Sequence, residues 1–230
     1  MHLAVSGASG ATGRLVVEQA LAAGHRVTAL VREPLRYHAP AGVDVVAAEV
    51  VADPDLELPP GVDAVVSTLG KRTAKDPVPV CADGTAHLLA AMRRHDVRRI
   101  VTVSASPVLR TGHGEPWWFR RAVRPYVHRV GRGIYADLEA MEATLRAASP
   151  EVRWTVLRPG YLTDRPATGY RLVPEANAVG SVQRADLAAA LLQVVADPAT
   201  VGHAYGLAAG RRARRPARRP AGAAPAGAER

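Results

Sequence analysis

This chain predicts an α/β fold: a Rossmann-type doubly wound parallel sheet with helices on both faces. Three observations predict it. Short β-branched apolar stretches alternate with helix-patterned stretches from residue 2 to about residue 209. The first apolar stretch, HLAVS, runs straight into GASGATGR, which sets glycines at 7, 10 and 13 between a strand and a helix. And 230 residues at 48% hydrophobic content are enough for one α/β domain with a full core, too apolar for a disordered chain.

The elements follow in order. HLAVS reads as a strand and ATGRLVVEQALAAG as a helix, with Leu15, Val16, Ala20 and Leu21 on one face and Gly24 ending it. RVTALV is the second strand, GVDVVAAEV the third and DAVVSTL the fourth. A helix runs through HLLAAMRRH, where Leu88, Leu89 and Met92 recur at helical spacing. RRIVTVSAS is a β-branched strand. A helix closes in YADLEAMEATLRAAS, VRWTVLRPG is a further strand, RADLAAALLQVVAD a late helix and HAYGLA a last strand. The span 160–182 shows neither period and is expected to form a small, irregular lobe on the substrate side of a domain covering 1–209.

Charge and cysteine content narrow the classes. The net charge of +9 is concentrated in residues 210–230, GRRARRPARRPAGAAPAGAER, which hold seven arginines and one glutamate and leave +3 for residues 1–209. That low-complexity end cannot bury a core and is expected to be a disordered tail, either a solvated extension or a segment that touches nucleic acid. Nucleic acid is otherwise not expected as a partner. No apolar run reaches the roughly 20 residues of a membrane helix, and the first strand starts at His2, so a cytoplasmic protein without a signal peptide is expected. The one cysteine, Cys81, sits in an apolar context and reads as a packed thiol. No histidine pair has ligand spacing, so no metal site is expected.

The glycine pattern has a physical use. Gly7 permits a tight turn out of the strand, Gly10 a close backbone approach to a pyrophosphate, and Gly13 close packing of helix on sheet. The amides of Ala11, Thr12 and Gly13 then face an anion from a helix N-terminus, and the hydroxyls of Ser9 and Thr12 can add to them. Strand before and helix after make this a dinucleotide site. At the end of the second strand, where NAD binders place an acid for the ribose, Val31 is followed by Arg32 and then Glu33. A guanidinium suits a 2′-phosphate, and Arg14 can assist from the loop. NADP(H) is therefore the expected cofactor. Glu33 keeps NAD(H) open, and a solvated surface arginine is the other reading of Arg32.

GASGATGR, ALVRE, STLGKR, RRIVTVSAS, WTVLRPGYLTDRPATGYR and QRADLAAALL occur in that order over residues 1 to 208. Together they resemble the atypical short-chain dehydrogenase/reductases, in the NmrA-like, NAD(P)H-binding branch that includes the flavin reductases such as biliverdin reductase B. The resemblance implies a Rossmann domain passing hydride from a nicotinamide to a flavin, a tetrapyrrole or a quinone-like acceptor. It implies that Glu49 and Val50 line the adenine pocket, although the family commonly has Asp where Glu49 stands. It implies that Leu69 and Gly70 pass beside a ribose, and that Arg158, Pro159 and Gly160 form the turn passing the nicotinamide. Tyr161 falls where the flavin reductase has a histidine. Lys71 and Arg72 could meet phosphates or an acidic substrate, or stand as solvated charges.

The wider superfamily uses Tyr-x-x-x-Lys as a proton donor. Here the residues four after Tyr37, Tyr126, Tyr135, Tyr161, Tyr170 and Tyr205 are Ala41, Val130, Glu139, Arg165, Pro174 and Ala209. None is lysine, and Glu139 is expected to raise the pKa of Tyr135. A carbonyl/alcohol relay or a sugar-nucleotide epimerase is thereby disfavoured. Hydride transfer to an electron-poor ring needs mainly ring-to-ring positioning. Ser104 or Ser106, at the carboxyl end of the fifth strand, can bond the nicotinamide amide, orient the acceptor or satisfy local backbone. Tyr161 can stack on the acceptor or donate a proton. PWWFRRAVRPYVHRVGR carries arginines at 120, 121, 124, 129 and 132. It reads first as an amphipathic helix with snorkelling arginines, and second as a cap that attracts an anionic substrate. The leading expectation is an NADPH-dependent reductase; the alternative is a non-catalytic NADP-binding redox sensor of NmrA-like type.

Overall fold

The computed structural model describes residues 1–71 and 73–210. Arg72 and most of the arginine-rich tail lie outside them, as do the expectations attached to those residues.

Ten strands and five α-helices form the described chain. β1 (His2–Ser6), β2 (Arg26–Val31), β3 (Val43–Ala47), β4 (Ala64–Ser67), β5 (Arg99–Val103), β6 (Arg153–Pro159), β8 (Tyr170–Pro174) and β10 (His203–Ala209) make one eight-stranded sheet in the order β3-β2-β1-β4-β5-β6-β10-β8. All pairings are parallel except β10 with β8. β1, β4 and most of β5 and β6 are buried along their whole length, the mark of parallel strands covered on both faces. α1 (Ala11–Ala22) and α5 (Arg184–Ala196) cover one face, packed on each other; α2 (Val80–Arg94) and α4 (Arg132–Ala147) cover the other. Two apolar cores result. Leu3, Val5, Val16, Val66, Leu157, Leu187 and Leu191 belong to the first, and Leu88, Met92, Ile100, Met141, Leu145 and Trp154 to the second. Each such side chain contributes about 1.5–3 kcal/mol on burial.

The doubly wound sheet is thus present, with three local differences. The buried face of α1 is Gly13, Val16, Val17 and Ala20, while Leu15 and Leu21 pack only partly. Residues 160–182 are irregular over 164–169 and 175–180 but also hold short strands: β7 (Tyr161–Thr163) pairs with β9 (Ser181–Gln183) in a small parallel sheet, and β8 joins the main sheet as its antiparallel edge. Three-residue strands are too short to show a period. The segment after β5 is helical, as its pattern suggests: a π-helical turn over Phe119–Val123 runs without a break into α3 (Arg124–Val130). Its inner stripe, Phe119, Val123, Arg124, Val127 and His128, is only half-buried, and no residue of the π-helical turn or α3 is fully buried.

Arg99 ties α5 to the sheet. Its buried guanidinium donates to the carbonyls of Val194 (2.5 Å), Val195 (3.2 Å) and Arg153 (2.7 Å), a cation on the carbonyl end of a helix. Among the described residues no helix is long and apolar enough to cross a membrane, and no three His, Cys, Asp or Glu side chains converge as metal ligands.

Candidate cofactor and acceptor site

β1 has β2 on one side and β4 on the other, so the connections leave it in opposite directions and a crevice opens at the carboxyl ends of β1 and β4. The glycine loop enters that crevice. Gly7 has φ +76°, and a Cβ on it would meet Thr68 Oγ1 at 2.8 Å; a Cβ on Gly13 would meet Ala8 Cα at 2.8 Å. Helix and strand therefore touch through bare backbone. Gly10 N donates to Gly7 O at 2.9 Å, and Arg14 N to Gly10 O at 3.0 Å. No side chain caps α1, and the amides of Ala11, Thr12 and Gly13 between these bonds have no protein acceptor among the described residues. Three free amides at a helix N-terminus fit a diphosphate. Ser9, Gly10, Ala11 and Arg14 are exposed there, and Thr12 is half-buried.

Thr68 is a residue that the motif reading missed. It follows β4, and its hydroxyl donates to Ser6 O (3.0 Å) and Gly7 O (3.2 Å), fastening the loop from the opposite lip of the crevice.

At the end of β2, Arg32 and Glu33 are both exposed. Glu33 is paired with Arg36 at 3.0 Å, whereas Arg32 has no acidic partner among the described residues. Glu49 is exposed and Val50 buried; the Val50 carbonyl is 3.1 Å from His87 Nδ1. Tyr37 lies near Arg14, its hydroxyl buried without a partner among the described residues. Burial pushes its pKa up, with Arg14 opposing and Glu18 assisting.

After β4, Leu69 is half-buried and Gly70 exposed. Lys71 Nζ donates to the backbone carbonyl of Asp76 at 2.9 Å, a neutral acceptor that leaves its charge uncompensated. Cys81 is buried, and its thiol is pushed up to about 12 by burial and the nearby Asp137. It is a packed thiol, with Sγ 3.7 Å from Leu69 O. Asp137 of α4 caps α2, accepting from Cys81 N (3.0 Å) and Ala82 N (2.8 Å).

The β5–β6 side of the crevice centres on a buried ionic network. Arg158 is fully buried, and its Nε and Nη2 donate to Glu142 Oε1 (2.9 Å) and Oε2 (2.6 Å). Ser104 Oγ donates to the same Oε1 at 2.8 Å, and Arg146 Nη2 to Oε2 at 2.7 Å. Burial works to raise the Glu142 pKa, but the bonds from Arg158, Ser104 and Arg146 outweigh it and hold the carboxyl below its ordinary range. Ser106 is placed differently: its Oγ accepts from Ala178 N at 2.7 Å and keeps its own proton to give. The backbone amides of Ser104 and Ser106 donate to Leu157 O and Pro159 O, each at 2.8 Å, so the two serines stand beside the 158–160 turn. Tyr161, next in line, is 78% exposed.

Tyr135 is raised, as expected, but by burial first and then Glu115, not by Glu139. Glu139 is instead bound by Arg110 at 2.6 Å. The Tyr135 ring stacks on His128 at 4.7 Å.

The crevice therefore gathers the glycine loop, the Leu69–Gly70 strip, the two serines and the Pro159–Gly160 turn along one edge of the sheet, with Arg32 and Glu49 at the β2 and β3 ends. Glu142, Thr68 and Asp137 were missed. One signal was available for Glu142: a lone arginine in the apolar strand WTVLRP demands a buried acid.

Comparison with known proteins agrees with this geometry. A family model described as NAD(P)H-binding matches residues 7–198. An uncharacterised chloroplastic protein of Arabidopsis thaliana is 31% identical over 175 residues, covering 72% of this chain; the match spans only 60% of that relative's length. Among solved structures, the oxidoreductase ylbE of Lactococcus lactis superposes with a TM-score of 0.75 at 19% identity, covering 91% of each chain. A short-chain dehydrogenase/reductase of Veillonella parvula in complex with NADP gives 0.70 at 17%, covering 92% of this chain and 95% of that one. A candidate NADH-flavin reductase of Streptococcus pneumoniae gives 0.68 at 20%, covering 90% and 98%. These structural likenesses establish the fold. With the family match over most of its length, the chain belongs to the NAD(P)H-binding family and carries a Rossmann-type fold.

Proposed function

We propose that the protein is an NADPH-dependent reductase of a flat, conjugated acceptor: a flavin, a tetrapyrrole or a quinone-like ring. The observation that carries this reading is the Ser104–Glu142–Arg158 network. The serine proton is committed to a carboxylate that three donors hold ionised, and no tyrosine has a lysine four residues on. That leaves the Ser106 hydroxyl, which can orient a ring by hydrogen bonding but is too weak an acid to protonate it. Such a site suits an electron-poor ring that takes its proton from solvent.

The chain's own residues divide the remaining work. The amides of Ala11, Thr12 and Gly13 hold the diphosphate, helped by Ser9 and Thr12. Arg32, with Glu33 turned to Arg36, receives a 2′-phosphate, assisted by Arg14; this favours NADP(H) over NAD(H). Glu49 and Val50 border the adenine, Leu69 and Gly70 the ribose, Pro159 and Gly160 the nicotinamide. When bound, the reduced nicotinamide supplies a hydride to the acceptor. Ser106 donates to the carboxamide or to the acceptor, Ser104 keeps Glu142 in place behind it, and Tyr161 offers a ring face for stacking.

The test is NADPH oxidation by the purified protein, followed by absorbance, against riboflavin, FMN, biliverdin and quinones, with NADH in parallel. Turnover that prefers NADPH is the expected result. Stoichiometric NADPH binding with no turnover on any acceptor overturns the reductase reading in favour of a redox sensor.

A further inference from the structure

Two contiguous cavities lie beside the serine network, on the α4 side of β5 and β6. The larger, 420 Å³, is lined by Arg110, Arg120, Arg124, Pro125, His128 and Glu139. The smaller, 240 Å³, shares Arg110 and Glu139 with it and reaches Glu142, Arg146 and Arg158. Five arginines face two glutamates across these walls.

Not all of that charge is spent. Arg110 is bound to Glu139, and Arg146 to Glu142. Arg124 is fixed by a bond to Leu109 O (3.0 Å), with the Glu115 carboxylate behind it at 3.9 Å. Arg120 has no acidic partner among the described residues. Arg158 lines the smaller cavity with Nη1 buried and without a hydrogen-bond partner, and an unmade bond to a buried guanidinium costs more than a neutral one. Gly112 (φ +68°) makes room for the two cap arginines: a Cβ there would meet Arg120 Cδ at 2.6 Å and Arg124 Nη1 at 2.8 Å.

We propose that this double cleft is the anion subsite of the acceptor pocket and takes a phosphate monoester carried by the flat acceptor. The inference rests on the reductase reading above for the ring's position. Arg158 immediately precedes the Pro159–Gly160 turn, so a ring laid against that turn has its substituent within reach of the cleft. Arg120 of the π-helical turn and Nη1 of Arg158 on β6 are the donors without a partner among the described residues, with the already paired Arg110 and Arg124 adding positive charge between them; N–H groups approaching from different elements suit a tetrahedral group with three oxygens.

FMN and riboflavin share one ring and differ by one phosphate, so they separate ring from anion. Their binding to the NADP⁺-loaded protein is read by quenching of flavin fluorescence, and their reduction by NADPH oxidation. FMN is expected to bind about tenfold more tightly than riboflavin at low salt, with the advantage shrinking as salt rises. Arg120→Gln, which breaks no bond seen among the described residues, is expected to cut the FMN-to-riboflavin affinity ratio several-fold, and Arg120→Lys to restore part of it. Equal affinities in the parent protein, or a ratio untouched by Arg120→Gln, overturn the subsite. Arg120-dependent FMN binding without turnover of either flavin keeps the subsite and removes the reductase reading.

Discussion

The two sides of the crevice are specified by different materials. On the cofactor side the chain works with backbone: glycines that admit close approach, helix amides left free, and one threonine holding the lip. On the acceptor side it works with side-chain charge: an arginine buried in a strand, a glutamate across from it, and a cap of further arginines. Backbone geometry is short-range and is written in consecutive residues. The charge network joins positions 104, 142, 146 and 158, brought together only by folding. The first side tolerates no added atom, and the second tolerates no unbalanced charge.

The sharpest way to break the first side is Gly13→Val. Its Cβ has nowhere to go but into the backbone of the loop, so the expected cost is at least about 3 kcal/mol with loss of NADPH binding. Urea denaturation and cofactor fluorescence measure both, and a stable variant that still binds would show that the loop relaxes. The matching break on the second side is Glu142→Gln, which strands the Arg158 charge in the core; we expect about 3–5 kcal/mol of destabilisation. The same carboxylate predicts a pH effect. Because its folded pKa lies below the ordinary 4.5, its contribution is complete above that value and is lost as pH falls through the lowered one. Denaturation midpoints from neutral to acid pH should fall more steeply in the parent than in Glu142→Gln; parallel curves would contradict the assignment.

Smaller effects sharpen the division. Arg32→Ala should weaken NADPH by about tenfold and leave NADH nearly as before, narrowing the preference. An unchanged ratio of the two affinities would remove Arg32 from the cofactor site. Tyr161→Phe is expected to change flavin turnover by less than about twofold. A fall of about a hundredfold with unchanged binding would instead make the phenol a proton donor.

The same division explains what was legible beforehand. Parallel strands buried on both faces announce themselves as apolar runs, and the glycine loop sits in eight consecutive residues, so sheet, helices and cofactor side could be read directly. β7 and β9 could not, being three residues each and dependent on pairing across the 164–180 excursion. Glu142 lies in YADLEAMEATLRAAS beside Asp137 and Glu139; Asp137 and Glu142 are both buried, and only Arg158 on a neighbouring strand marks Glu142 as the one that balances a charge. The cap's helical stripe could be read, but not how shallowly it docks: Phe119, Val123 and Val127 are only half-buried, while Trp117 and Tyr126 stand 71% and 69% exposed.

Asp137 gives the crevice a fixed wall. By capping α2 from α4, it locks together the two helices that back the Leu69 strip and the Glu142 carboxylate, and the Cys81 thiol extends the lock to Leu69 itself. A molecule entering the cleft cannot easily spread these helices, because doing so uncaps a helix and unpairs a carboxylate in one motion. The 107–131 segment is fastened differently, by bonds from Arg124 and Asn177 to Leu109 O, from His128 to Pro107 O and from Arg110 to Glu139, so this side of the cleft is held by side chains crossing between elements rather than by buried apolar area.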